Sequence, residues 1–128
     1  MYPYLLREGQ PPTSIELPSF PLGLRPTIRT RTVEVNLEEG DTIVYLSDGI
    51  IEAQNEQGDP FGFDQLESLL AQASDPTPSA IRDAILDAVA RHSGTRPADD
   101  DRTVMVLRFD QFRSELSEES ELTTAAAV

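Results

Sequence analysis

The chain has 128 residues, enough for one domain or part of one, with 38% hydrophobic and only 6% aromatic residues. Its formal net charge is −13, from 23 acidic and 10 basic residues, which repels nucleic-acid phosphates and anionic lipid and argues against both as partners. It has no cysteine, so disulfides and thiolate metal sites are excluded, as suits a reducing cytoplasm.

The core must be assembled from Leu, Ile, Val and Ala. No apolar run approaches the length of a membrane span. The opening MYPYLLREG lacks a basic segment followed by an apolar one, so no signal peptide is expected. A cytoplasmic location follows as an expectation. The surplus of carboxylates favours divalent cations wherever several converge.

Residues 1–30 hold six of the ten prolines, which remove backbone donors and block helix. Short strands are expected at Tyr4–Arg7 and Ser14–Leu17, with a turn at Glu8-Gly9-Gln10. Val33, Val35 and Leu37 alternate with Thr32, Glu34 and Asn36, the period of a half-buried strand. Glu38-Glu39-Gly40-Asp41 reads as a turn, Gly40 supplying the positive φ. Thr42–Leu46 is almost wholly apolar, which predicts a central strand covered on both faces. It ends at Ser47-Asp48-Gly49.

Gln57–Pro60 marks a loop. A helix is predicted over about Phe63–Ala73, with Leu66, Leu69, Leu70 and Ala73 on one face. A second starts with Thr77 as N-cap and Pro78 at the first helical position, and ends at Ser93-Gly94. Its apolar positions Ile81, Ala84, Ile85, Ala88 and Val89 fit the helical period. The fold class is therefore α+β, with two helices between Phe63 and His92. The consecutive aspartates Asp99, Asp100 and Asp101 precede a buried strand at Thr103–Leu107. Beyond Phe112 the chain becomes acidic and poor in apolar residues, so 113–128 is expected to be a disordered tail.

Two carboxylates stand out by position. Asp48 follows one buried strand and Asp100 precedes another. If those strands are antiparallel neighbours, their ends meet at a spacing of about 4.8 Å, and both side chains can reach one metal ion. Each has a plainer reading: Asp-Gly is a common turn element, and an Asp run is usually solvated. Glu52 is a further acid near Asp48, read first as an exposed loop residue. His92, the sole histidine, lies on the apolar stripe of the second helix and is expected to be partly buried and structural. A nucleophile activated by a Cys/His pair is ruled out, and no Gly-rich phosphate loop is present. Gly23 reads as a turn residue. Arg25, Arg29 and Arg31 form a weak basic cluster.

Four stretches, in order, resemble the C-terminal half of a SpoIIE-type phosphatase domain, a bacterial branch of the metal-dependent (PPM, protein phosphatase 2C-like) serine/threonine phosphatases. They are YPYLLREG, PLGLRP, LEEGDTIVYLSDGIIEAQNEQGDPFGFDQLESLL and DDDRTVMVLRF. The resemblance implies residues 1–112 as part of an α-β-β-α sandwich with antiparallel strands. It implies two Mn²⁺ or Mg²⁺ ions in the complete domain, with Asp48 and Asp100 as metal ligands and Asp101 ordering the turn into the strand. The reaction implied is metal-dependent hydrolysis of phosphoserine or phosphothreonine on a regulatory protein, such as an anti-sigma-factor antagonist. A sensor domain upstream is also typical. The family's first metal-binding aspartates and its Gly-His motif would fall before Met1, so this chain carries part of the two-metal site and is expected to be inactive alone. The alternative is a non-catalytic interaction protein that keeps the partner-binding surface.

Overall fold

A four-stranded antiparallel sheet carries the architecture, in the order β2-β1-β3-β4. The computed structural model describes residues 2–18 and 32–110. Strand β1 is Tyr4–Leu6, β2 Thr13–Ser14, β3 Thr42–Leu46 and β4 Val104–Arg108. Three helices complete the order: α1 at Asp48–Ile51, α2 at Gly62–Ala71 and α3 at Pro78–Ser93. The α+β class with antiparallel strands and two long helices between Phe63 and His92 is thus present. Among the described residues, no helix is long and apolar enough to cross a membrane.

Register decides which side chains share a face. Tyr4 pairs with Val44, which pairs with Val106, and Leu46 pairs with Val104. These side chains face the helices and join a core with Ile50, Ile51, Phe61, Leu66, Leu70, Ile81, Ile85 and Val89. The opposite face carries Leu5, Ile43 and Leu107 in one row and Tyr45 with Met105 in the next. There Ile43 is buried, but Tyr45, Met105 and Leu107 are 39%, 47% and 43% exposed. So β3 is central, as predicted, but covered fully on one face only. Of the two-sheet sandwich, the described residues form one sheet with its helices on one side.

Two strand expectations are corrected. The second strand is Thr13–Ser14 rather than Ser14–Leu17. Its ladder runs out with β1, where Ile15 N–H donates to the Pro3 carbonyl at 2.8 Å and Pro3 has no N–H to return. The alternating segment Thr32–Leu37 is not a strand, and all its residues are exposed. Alternation gives a segment two faces, but a strand also needs a backbone partner, and none of the sheet's strands pairs with it.

The helices follow their patterns closely. Ile81, Ile85 and Val89 are buried along α3, and Leu66 and Leu70 along α2. Pro78 occupies the first turn of α3 and Thr77 its N-cap position, but the Thr77 side chain makes no capping bond. Instead the Thr77 N–H donates to the Asp75 carboxylate at 2.9 Å, which holds that carboxyl below its usual range. Tyr4 ties sheet to helix: its hydroxyl donates to Glu67 Oε1 at 2.9 Å, and burial pushes its ionisation upward.

The far end of the sheet is fixed by charge. Asp41 is 1% exposed. Its carboxylate accepts Arg7 Nε at 2.9 Å, Arg7 Nη2 at 2.6 Å and the Glu38 N–H at 2.8 Å. Arg7 also reaches Glu38 at 3.0 Å and the Asn36 carbonyl at 3.0 Å. Gly40, at φ +89°, turns the chain so that its N–H donates to the Phe109 carbonyl at 2.7 Å, and the Phe109 N–H returns to the Asp41 carbonyl at 2.8 Å. One guanidinium therefore links the end of β1 to the turn that starts β3.

The Arg7 hydrogen bonds hold the Asp41 carboxyl below its ordinary value, against the opposing effect of burial. A lowered folded value means that the stabilisation is complete above the usual carboxylate pKa of about 4 and is lost as pH falls through the folded value. Asp41→Asn should lower stability at pH 7 by about 2 kcal/mol and flatten the acid limb of the stability profile below pH of about 4, measured by urea unfolding across pH. Ile85→Ala should cost about 2–5 kcal/mol, whereas Leu86→Ala, one residue away at 38% exposure, should stay within about 0.5 kcal/mol. The same unfolding curves check both.

Candidate metal centre

The end of β3 and the start of β4 meet, as the placement of Asp48 and Asp100 requires. Past the Leu46–Val104 pair, the Ser47 N–H donates to the Thr103 carbonyl at 3.0 Å. The Thr103 N–H donates to Ser47 Oγ at 2.8 Å, and the Ser47 hydroxyl donates to the Asp101 carbonyl at 2.9 Å. Gly49 is buried against the same loop. A Cβ there would collide with the Asp101 carbonyl, 3.1 Å from its carbon, and lie 3.5 Å from that of Asp100. Glycine at 49 is thus a matter of close approach, its α-carbon resting on the Asp101 carbonyl.

Both candidate carboxylates are exposed. Asp48 opens α1 and accepts the Gly49 N–H at 3.2 Å. Asp100 accepts the Asp101 N–H at 2.7 Å. Among the described residues, neither is paired with a cationic side chain. Two exposed carboxylates on adjoining loops, with backbone carbonyls beside them, are hard oxygen donors of the kind Mg²⁺ and Mn²⁺ select. In chemistry they fit part of a metal centre.

The three aspartates have three different roles. Asp99 pairs with Arg96 at 3.3 Å. Asp100 accepts the Asp101 N–H with its carboxylate, and its main chain lies near Gly49. Asp101 orders the turn, as the resemblance implies, and does so through its main chain, donating to Asp100 and accepting from Ser47. Arg102 turns away, its Nη2 donating to Ser93 Oγ at 3.1 Å.

Glu52 caps the C-terminus of α1 and is exposed. It does not complete a cluster: among the described residues, no three Asp, Glu, His or Cys side chains converge as a metal site would need. His92 is structural, as expected. Its Nε2–H donates to the Asp59 carbonyl at 3.0 Å, and its ring meets Phe61 edge-on at 5.6 Å. Gly23, Arg25, Arg29, Arg31 and the acidic tail 113–128 lie outside the described residues. Ser47 was not singled out from the sequence. The available signal was a hydroxyl between an apolar strand and an Asp-Gly turn.

Comparison with known proteins gives the family and the fold. The family described as Stage II sporulation protein E (SpoIIE) matches residues 1–110. The phosphatase domain of the cell fate determinant SpoIIE from Bacillus subtilis, presoaked with Mn, superposes with a TM-score of 0.64 at 21% identity, covering 87% of this chain and 47% of that one. A longer structure of the PP2C phosphatase domain of the same protein, with a fragment of its regulatory domain, gives 0.70 at 23% identity, covering 84% and 31%. The SiaA-PP2C domain of Pseudomonas aeruginosa gives 0.69 at 26% identity, covering 85% and 43%. No curated protein sequence matches significantly. The chain therefore spans less than half the length of each of these structures. With the family match running over both metal-candidate loops and the PP2C fold shared by its solved relatives, the chain belongs to the SpoIIE family and is a partial PPM-type phosphatase domain.

Proposed function

We propose that the domain containing this chain hydrolyses phosphoserine or phosphothreonine on a regulatory protein, such as an anti-sigma-factor antagonist, in cytoplasmic signal transduction. The supporting observation is the β3–β4 junction, where antiparallel pairing seats Gly49, next to Asp48, against the main chain of Asp100 and Asp101 in a family of metal-dependent phosphatases. In this reading Asp48 and Asp100 hold Mn²⁺ or Mg²⁺, which when bound supplies an acidified water and neutralises charge on the phosphoryl group. The residues of this chain supply anionic oxygen from two adjoining loops. Two carboxylates leave most of an octahedral shell to water and to groups outside the described residues. The chemistry is therefore assigned to the two-metal site of the whole domain rather than to these 128 residues alone.

A second reading draws on the exposed apolar face of Tyr45, Met105 and Leu107. That face suits a protein partner, and the chain would then act as a non-catalytic interaction protein.

The two readings separate in one assay. A SpoIIE-type domain that includes this chain should release phosphate from a phosphoserine peptide only with Mn²⁺ or Mg²⁺. Asp48→Asn and Asp100→Asn should each lower the rate by orders of magnitude without shifting the thermal midpoint appreciably. Wild-type rates in both variants would refute the ligand assignment. Metal-independent capture of the partner by a domain without turnover would favour the second reading.

A further inference from the structure

In a regular antiparallel ladder, facing residues at a hydrogen-bonded pair exchange both N–H···O bonds. Ser47 and Thr103 depart from this. The Ser47 N–H donates to the Thr103 carbonyl at 3.0 Å, but the Thr103 N–H donates to the Ser47 side chain at 2.8 Å. The Ser47 carbonyl is thereby released from the ladder and accepts the Ile50 N–H at 3.2 Å, in the turn that opens α1. The hydroxyl stands in for the missing ladder acceptor on one side. On the other, its own proton goes to the Asp101 carbonyl at 2.9 Å. That same carbonyl is the group against which Gly49 is packed. A single hydroxyl therefore ends the strand pairing, starts the helix and pins the aspartate loop.

We propose that Ser47 is a positioning residue for the Asp48–Asp100 pair: its hydroxyl, bonded to Thr103 N–H and the Asp101 carbonyl, sets the separation of the two carboxylates that the proposed function assigns to the metal. The inference rests on that reading for the metal, but the hydrogen bonds it invokes are made without one. Removing the hydroxyl leaves the Thr103 N–H and the Asp101 carbonyl without protein partners. Water satisfies both, since the site is exposed, but it does not tether one loop to the other. The result is a looser pair of ligands on an intact sheet.

A SpoIIE-type domain that includes this chain serves for the test. Without metal, Ser47→Ala should speed amide exchange at Thr103 while Val44 and Val106, in the middle of the β3–β4 ladder, keep wild-type protection. Ser47→Thr, which retains the hydroxyl, should restore protection at Thr103. In a Mn²⁺ titration followed by paramagnetic broadening, the Gly49 and Asp101 amides of the wild type and of Ser47→Thr should broaden together. Ser47→Ala should need about 10-fold or more Mn²⁺ for the same effect. Unchanged exchange at Thr103, or an unchanged Mn²⁺ requirement in Ser47→Ala, would overturn the role given to Ser47. No broadening in the wild type would instead overturn the metal assignment of Asp48 and Asp100, and with it the purpose given to the clasp.

Discussion

The pairing of β3 with β4 is the constraint on which the rest of the molecule depends. Five residues of each strand are in register, from Thr42 opposite Arg108 to Leu46 opposite Val104. That register fixes which side chains face the helices and which do not. It also fixes where the two Asp-bearing loops emerge, because antiparallel strands bring the end of one beside the start of the other. A slip by one residue would turn Val44 and Leu46 out of the core and separate Ser47 from Thr103 at the same stroke.

The two ends of this ladder are held by different means. At the Asp41 end, a buried carboxylate and a guanidinium fix the geometry, with the protein's interior strengthening their attraction. At the Asp48 end, among the described residues, the carboxylates have no cationic partner and the loops are held by neutral hydrogen bonds and by the absence of a side chain at Gly49. The division has a physical sense. An arginine at the second end would occupy the carboxylates and compete with any metal. Hydroxyl, amide and carbonyl groups hold the backbone in place while leaving the charge unspent.

Much of this was legible in the sequence because it rested on local signals. The period of Ile81, Ile85 and Val89 and the Pro78 start identify α3, and the apolar run Thr42–Leu46 ahead of Asp-Gly identifies the central strand and the turn that ends it. What was not legible depended on partners distant in the chain. Thr32–Leu37 alternates as a strand should, yet finds no ladder to join. The burial of Asp41 follows from Arg7, 34 residues away, which no local window contains. Helix α1 is four residues long, too short for periodicity to register. The role of Ser47 needs Asp101 and Thr103 in place before it has any meaning.

The uncovered face of the sheet has a consequence for how copies of this chain behave toward one another. Tyr45, Met105 and Leu107 form a greasy strip on an otherwise acidic molecule of net charge −13. Contact between two strips would release ordered water and is favourable, whereas approach of two such anions is not. Electrostatic repulsion reaches about 10 Å in 0.1 M salt and about 3 Å in 1 M salt, and the strip's attraction is not weakened by salt. Ionic strength thus acts as the dial between dispersed and clustered chains, with brine favouring clusters and dilute buffer favouring dispersal.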